Sequence, residues 1–455
     1  MVSRRQFLFS AGTLAFVGLS RSAFGKIPAT DFGSNLPAYG PLIADSNKLL
    51  DLPKGFSYKV ISQLGDNMTD GFTVPDKADG MGCIALDDER VALVRNHELK
   101  PTDLAKAELS LQTHKTSLAY DVDSQGVALP GGTSHIIYNL KTGKKEQEYL
   151  SLVGTIRNCS GGITPWGTWL TCEETTVTKA DGLGQDHGYI FEIPANAKGL
   201  VKPEPLIAMG RFNHEAAAVD PRTGIVYLTE DKGDSLFYRF IPNEFGKLNK
   251  GGKLQAMVIK QQPQFDTRNW AGEKMPLHAN MDVEWIDLDS PESPKDDLRL
   301  RGYAQGAALF ARGEGVHWGE NELYFCCTNG GNKQLGQVMK YQPSKFEGTA
   351  KEQTSPGQVQ LFVESTNASL FNFGDNLTVA PNGHLIVCED QYTDIVDNHL
   401  RGVTPKGEVY NFAKLHTQTE LAGACFSPDG STLFVNVYKP TKTLAITGPW
   451  DSFQR

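Results

Sequence analysis

The chain has 455 residues, 40% of them hydrophobic, with 46 glycines and a formal net charge of −9. That length allows one large all-β domain or two smaller ones, and the glycine content fits a turn-rich soluble protein. The acidic balance argues against nucleic acid as a partner and is compatible with cation binding.

Residues 1–25 read as a twin-arginine export signal. Ser3-Arg4-Arg5-Gln6-Phe7-Leu8 carries the paired arginines, an apolar run extends from Phe7 to Leu19, and Ala23-Phe24-Gly25 offers small residues for cleavage. The run is short for a membrane span. The expectation is therefore no stable membrane span, the twin-arginine machinery as a partner, and a periplasmic or secreted location. Removing Arg4, Arg5 and Arg21 with the signal takes the charge from −9 to −12. Residues 26–46, with Pro28, Gly33, Pro37, Gly40 and Pro41, read as an extended leader. Residues 47–455 read as a single domain, with no linker-like boundary, and as a monomer.

Phe56 to Ser62 predicts a strand. Six hairpins of one design follow it. Each has a start bearing glycine or an acid, a short strand, and a turn of Asp, Pro, Gly or Asn. An apolar return strand then ends in a polar or acidic residue. The first runs from Gly82 to Glu98, the second from Cys159 to Glu174 and the third from Asn213 to Asp231. The fourth spans Glu314 to Cys327, the fifth Gly374 to Asp390 and the sixth Gly423 to Val437. Further strands complete several units, among them Gly188 to Ile193 and Leu206 to Met209 for the second. Four-stranded units repeated about six times indicate a six-bladed β-propeller. The sixth unit is short of an outer strand, which Phe56 to Ser62 can supply to close the ring. Residues 260–313 form a long insertion holding Glu284-Trp285-Ile286-Asp287-Leu288; counted as a blade, that strand gives a seven-bladed alternative.

In the second hairpin, Pro165-Trp166-Gly167 turns the chain, so Cys159 returns close to Glu173 and Glu174. Taken alone, this is either a metal-ligand set or a core thiol with two solvated acids. The repeat favours the metal. In a propeller the start of each inner strand and the end of its return strand lie on one face of the channel. The residues there are Glu98; Cys159, Glu173 and Glu174; Glu215, Glu230 and Asp231; Glu314; and Asp375, Glu389 and Asp390. So many carboxylates around one pore repel strongly without cations. Oxygen ligands favour a hard ion such as Ca²⁺, and the one thiolate points to a transition metal in addition. Of the seven cysteines, Cys83, Cys172, Cys388 and Cys425 sit in apolar runs as expected of buried thiols, whereas Cys159 starts a polar, glycine-rich strand. His97, His214 and His317, beside the motif acids, read as hydrogen-bonded core residues.

At these residues the chain resembles the PhoX-type alkaline phosphatase family. The matching segments are Asn158-Cys159-Ser160-Gly161-Gly162, Thr164-Pro165-Trp166-Gly167-Thr168-Trp169-Leu170-Thr171-Cys172-Glu173-Glu174, Asn96-His97-Glu98, Phe212-Asn213-His214-Glu215-Ala216, Arg312-Gly313-Glu314-Gly315, Gly374-Asp375-Asn376 and Cys388-Glu389-Asp390. The resemblance implies a six-bladed propeller whose funnel holds two Fe³⁺ and several Ca²⁺ ions, and hydrolysis of small phosphomonoesters. It implies that Cys159 is the thiolate ligand to iron and that Glu215 and Glu314 are ligands in the cluster. Glu98, Glu173, Glu174, Asp375, Glu389 and Asp390 would complete the iron and calcium shells, and Arg312 would bind substrate phosphate. Two other classes stay open on the same architecture, a non-catalytic calcium-binding propeller and a calcium-dependent lactonase. Neither needs the thiolate of Cys159.

Overall fold

The computed structural model describes residues 38–105, 116–391 and 393–454; the twin-arginine segment 1–25 and leader residues 26–37 lie outside them. The chain opens with β1 (Leu42–Ile43), β2 (Leu50–Pro53) and β3 (Ser57–Gln63). Next come β4 (Ala78–Ala85), β5 (Arg90–His97), β6 (Gly131–Asn139) and β7 (Lys144–Thr155), which form one four-stranded antiparallel sheet. A three-stranded sheet follows: β8 (Asn158–Ile163), β9 (Thr168–Glu173) and β10 (Ile190–Pro194). The next strands are β11 (His214–Val219), β12 (Val226–Glu230), β13 (Tyr238–Pro242), β14 (Gly252–Ile259) and β15 (Asn280–Asp287). After them come β16 (Gly313–Trp318), β17 (Leu323–Cys327), β18 (Gln337–Gln342) and β19 (Gln358–Glu364). The last strands are β20 (Gly374–Val379), β21 (Leu385–Glu389), β22 (His399–Val403), β23 (Val409–Leu415), β24 (Leu421–Phe426), β25 (Thr432–Val437) and β26 (Lys442–Thr447).

The result is an all-β, propeller-like fold. Strand β4 packs on β8, β8 on β11, β11 on β16, β16 on β20, β20 on β24, and β24 back on β4, so these strands form a closed ring around a channel. From each of them a sheet runs outward. Period-two alternation makes both faces of these sheets apolar. In β9, for example, Trp169 packs with Ile84, Val94 and Phe191 on one side, while Leu170 packs with Phe212, Leu228 and Phe240 on the other. The core is thus a series of apolar layers between neighbouring sheets, each fully buried Leu or Phe contributing about 1.5–3 kcal/mol. The layers fix the ring and so the position of everything on its inner strands. Close approach at the ring demands small residues: a Cβ at Gly162 would stand 1.9 Å from the Ala217 carbonyl oxygen on the neighbouring β11.

As the sequence predicts, β3 supplies the outer strand of the last sheet, pairing antiparallel with β26. One local expectation differs. The predicted strand over Leu206 to Met209 is a single 3-10 turn (Ile207–Met209), with one bridge between Phe191 and Pro205. Proline at 203 and 205 cannot donate to a ladder, which leaves that sheet at three strands. In the described part of the leader, β1 pairs with β2, and β2 pairs with β23, which extends the sheet of β20–β23. The strand in the 260–313 insertion, β15, pairs with the outer strands β14 and β19 of two neighbouring sheets and fuses them into one nine-stranded sheet. It lies on the outside, away from the channel ring.

Candidate metal centre

Each ring strand breaks register at the same step. The shifts lie between Ala78 and Met81, Asn158 and Gly161, His214 and Ala217, Gly313 and Val316, Gly374 and Leu377, and Ala422 and Cys425. A bulge adds one residue and re-aims a side chain. The residues so inserted are Asp79, Cys159, Glu215, Glu314, Asp375 and, in β24, Gly423. Gly423 has φ +61°, and a Cβ there would stand 2.4 Å from the Asp79 carbonyl oxygen. Glycine therefore occupies the one of the six bulge positions that carries no side chain, where a Cβ does not fit.

A second set of residues, four of the five acidic, follows the return strands. The N–H groups of Glu98, Glu174, Asp231, Thr328 and Asp390 donate to the carbonyls of Lys77, Arg157, Asn213, Arg312 and Phe373, each the residue just before a ring strand. The two sets converge. Cys159 Sγ and one carboxylate oxygen each of Glu174 and Glu215 lie within 4.8 Å of one another, and so do single oxygens of Glu215, Glu314 and Asp375. Glu215 belongs to both groups. Cys159, Glu174, Glu215 and Glu314 are buried and Asp375 is half-buried.

Crowding marks the electrostatics. Burial, reinforced by Glu314, Asp375 and Glu174, pushes the Glu215 carboxyl well above its usual range. Burial and then Asp231 and Asp375 do the same to Glu314. Asp375 rises to about 7 through burial and then Asp390. Glu174 rises to about 8 through burial and Asp231, against the pull of Arg157. The Cys159 thiol is raised by burial and then by Glu215, and its Sγ lies 3.2 Å from the His214 carbonyl oxygen. All seven cysteines are buried and none forms a disulfide.

Three predicted residues sit elsewhere. Glu173, Glu230 and Glu389 each precede a channel-facing acid by one residue, and alternation turns them into the sheets. Glu173 accepts the N–H groups of Ile156, Gly188 and Tyr189, and its Oε1 lies 2.6 Å from His187 Nδ1. Glu230 accepts the Tyr238 hydroxyl at 2.6 Å. Glu389 accepts Arg401 Nε at 2.7 Å and the N–H groups of Asn372 and His399. His97, His214 and His317 are held by main-chain oxygens.

Three residues join the cluster without having been singled out in the sequence. Asp79 is buried with its Oδ1 lacking a hydrogen-bond partner, and its carboxyl is raised by burial and then by Asp375, Glu98, Glu174 and Asp390. Its signal is the Asp79-Gly80 pair, which repeats Glu314-Gly315. Glu420 is raised by burial and then by Asp390, Asp79 and Asp375. Arg157 directly precedes its ring strand just as Arg312 precedes Gly313. Arg157 bridges Glu98 (Nε to Oε1, 2.7 Å) and Glu174, and Arg312 bridges Asp231 (2.6 and 2.9 Å) and Glu314 (3.3 Å). An unpartnered buried carboxylate oxygen, converging acids with raised pKa and one thiol are a donor set that fits multivalent cations. Past the bulges the same ring strands line an apolar cavity of about 290 Å³, with Met81, Ile163, Trp169, Val316, Trp318 and Cys425 on its walls. The acids therefore gather at one end of the channel. Among the described residues no helix is long and apolar enough to cross a membrane.

Among solved structures, the chain is similar to Pseudomonas fluorescens PhoX in complex with vanadate, a transition-state analogue. The identity is 19%, the coverage 90% of this chain and 97% of that one, and the TM-score 0.66, which shows a common fold. A gluconolactonase from Xanthomonas campestris aligns at 11% identity over 83% of this chain and 97% of its own, with a TM-score of 0.35. No curated protein matches in sequence. The sequence model described as alkaline phosphatase PhoX matches residues 37–137 and 127–441. That match spans most of the chain, including every residue of the acid cluster, and so the chain belongs to the alkaline phosphatase PhoX family, which are phosphoric monoester hydrolases.

Proposed function

We propose that the protein is a metal-dependent alkaline phosphatase whose cations are held at the carboxylate end of the channel. The observation that carries this reading is the sharing of Glu215 by two groups of close ligand atoms. One group contains the Cys159 thiol with Glu174, a set suited to Fe³⁺; the other is all oxygen, from Glu215, Glu314 and Asp375. Glu98, Asp231 and Asp390, with Asp79 and Glu420, extend the oxygen donors available to Ca²⁺. We leave Glu173 and Glu389 out of the ligand set, because their oxygens are committed within the sheets, and Glu230 because its neighbours are Tyr238, Arg299, Asp296 and Asp234 and not the acids of the cluster.

Bound there, the cations supply the positive charge that draws in a phosphomonoester dianion and stabilises charge in its transition state. The chain's own contribution is position. Arg312, with its side chain 24% exposed, is pinned through Nε and Nη2 by both oxygens of Asp231 and brings a fixed positive charge to the carboxylate end of the channel, where a phosphoryl group would meet it. The bulges hold the ligand atoms at fixed places on packed strands, so little ordering is left for the moment of reaction.

We count the blades as six, on the ring of β4, β8, β11, β16, β20 and β24 with a sheet running outward from each. We assign residues 1–25 to a twin-arginine signal on the Arg4-Arg5 motif, with a mature periplasmic or secreted monomer. The experiment is metal analysis of the purified protein alongside hydrolysis of p-nitrophenyl phosphate. Iron together with calcium, and hydrolysis inhibited by vanadate, is the expected outcome. Calcium alone with no hydrolysis would instead favour a non-catalytic calcium-binding propeller or a lactonase.

A further inference from the structure

Arg157 and Arg312 stand at one step of the repeat. Each is the last residue before a ring strand, β8 or β16, and each takes a left-handed φ, 50° and 49°. A non-glycine residue seldom adopts that conformation, and here the N–H of the residue closing the return strand, Glu174 or Thr328, fixes it by bonding to the arginine's carbonyl. The same turn sends both side chains to the carboxylate end of the channel, 27% and 24% exposed.

Their contacts join into one line. The Tyr438 hydroxyl donates to Glu98, Glu98 pairs with Arg157, and Arg157 with Glu174. Glu174 is in hydrogen-bond contact with Asp231, which pairs with Arg312, and Arg312 reaches Glu314. The two guanidinium groups are thus separated by only the Glu174–Asp231 carboxyl pair. Arg157 uses Nε and Nη2 on its two acids, while its Nη1 makes no hydrogen bond to a described residue. A phosphomonoester dianion approaching this rim meets Glu98 and Glu174 on one side as it meets Asp231 and Glu314 on the other. Arg312 sets one positive charge against the second pair, and Arg157 is placed to do the same for the first.

We propose that Arg157 is a second anion-binding residue, closing with Arg312 on the phosphoryl group of the substrate. This rests on the phosphatase reading above. Arg157 holds Glu98 and Glu174 apart from the anion, and its outward Nη1 donates to a phosphoryl oxygen that Arg312 does not hold.

The test uses metal-loaded protein and the variants Arg157→Met, Arg157→Lys and Arg312→Met. KM and kcat for p-nitrophenyl phosphate, Ki for inorganic phosphate, metal content and melting temperature are measured on each. Arg157→Met is expected to raise both KM and the phosphate Ki by about tenfold, the loss of one charged hydrogen bond, with metal content unchanged. Arg157→Lys keeps the charge without the fork and should raise Ki less, and added guanidinium ion should lower the Ki of Arg157→Met. Unchanged KM and Ki in Arg157→Met overturns the proposal. So does a rise accompanied by lost metal, which makes Arg157 a brace for the ligands, or by an extra bound cation, which makes it a built-in counter-ion. If Arg157→Met does not fold, a wild-type phosphate Ki in folded Arg157→Lys overturns it equally. If the wild type itself neither hydrolyses phosphomonoesters nor binds phosphate, the phosphatase reading has failed. If the wild type is active and Arg312→Met loses phosphate while Arg157→Met keeps it, only the role of Arg157 has failed.

Discussion

Glu173 and Glu174 are neighbours in the chain with carboxylates in different places: Glu173 is locked against His187 Nδ1 at 2.6 Å, while Glu174 pairs with Arg157 and lies within 4.8 Å of Cys159 and Glu215. Their isosteric amides should therefore separate stability from metal binding. Glu173→Gln leaves buried N–H groups facing an uncharged acceptor and is expected to cost ~2–4 kcal/mol of stability, with metal content per folded molecule retained. Glu174→Gln should keep the fold and lower metal affinity by at least about tenfold. Denaturant titration and metal analysis of both proteins check the pair; equal metal loss in the two would mean that the alternation does not divide their roles.

Replacing Cys159 by serine substitutes a hydroxyl, protonated at neutral pH, for a soft thiolate. Iron content, the visible absorption expected of ferric thiolate, and hydrolysis of p-nitrophenyl phosphate should all fall, the last by orders of magnitude. Cys172→Ser, fully buried in β9, should lower stability instead and keep activity per folded molecule. Wild-type iron and rate in Cys159→Ser would remove Cys159 from the ligand set.

Chelation should make stability depend on pH with a definite sign. The folded-state pKa values of Asp375 and Glu174, about 7 and about 8, lie above those of ordinary carboxyls. Between pH about 4.5 and 8 these two carboxyls in the folded metal-free protein therefore hold protons that they lose in the unfolded chain, and their contribution to stability falls as pH rises. Bound cations favour the ionised carboxylates and should reverse that trend. Melting temperatures at pH 5, 7 and 9, with and without a chelator, test this. A chelated protein that is no less stable at pH 9 than at pH 5 would contradict the crowding argument.

Arg95 fastens the first sheet to the last. Buried on β5, it donates to Ser62 on β3 at 3.0 Å and Thr443 on β26 at 2.7 Å, and pairs with Glu148 on β7 at 2.9 Å. Arg95→Met removes one of the two cations on Glu148, leaving Lys145, together with the buried hydrogen bonds to Ser62 and Thr443, and is expected to cost about 2–4 kcal/mol. The midpoint of denaturant unfolding measures it, and a shift equivalent to under about 1 kcal/mol would assign the closure to strand pairing alone.

The repeated hairpins, the closing strand and the gathering of acids at the open ends of the hairpins are legible in the sequence, because each depends on local patterning. The direction of individual side chains is less so. Glu173, Glu230 and Glu389 could be told from their partners by period-two counting, once the strand ends are fixed. The bulges could not be read this way: they insert Asp79 and Glu314 into the channel against strict alternation, and β4 starts four residues before the Gly82 from which the first hairpin reads. Arg157 and Glu420 act through partners far off in the chain, such as Glu98 and Asp79, and no short-range pattern announces such a contact.

The strand that seals the ring, β3, precedes all six ring strands in the chain, and its partner β26 follows them. Until Lys442–Thr447 emerges, the acids carried by β4 through β20 have no common centre. A nascent chain that stops short leaves them spread in water, where their repulsion is weak and their hold on a cation weaker still. Cation binding at the carboxylate end would thus report that β3 and β26 have met.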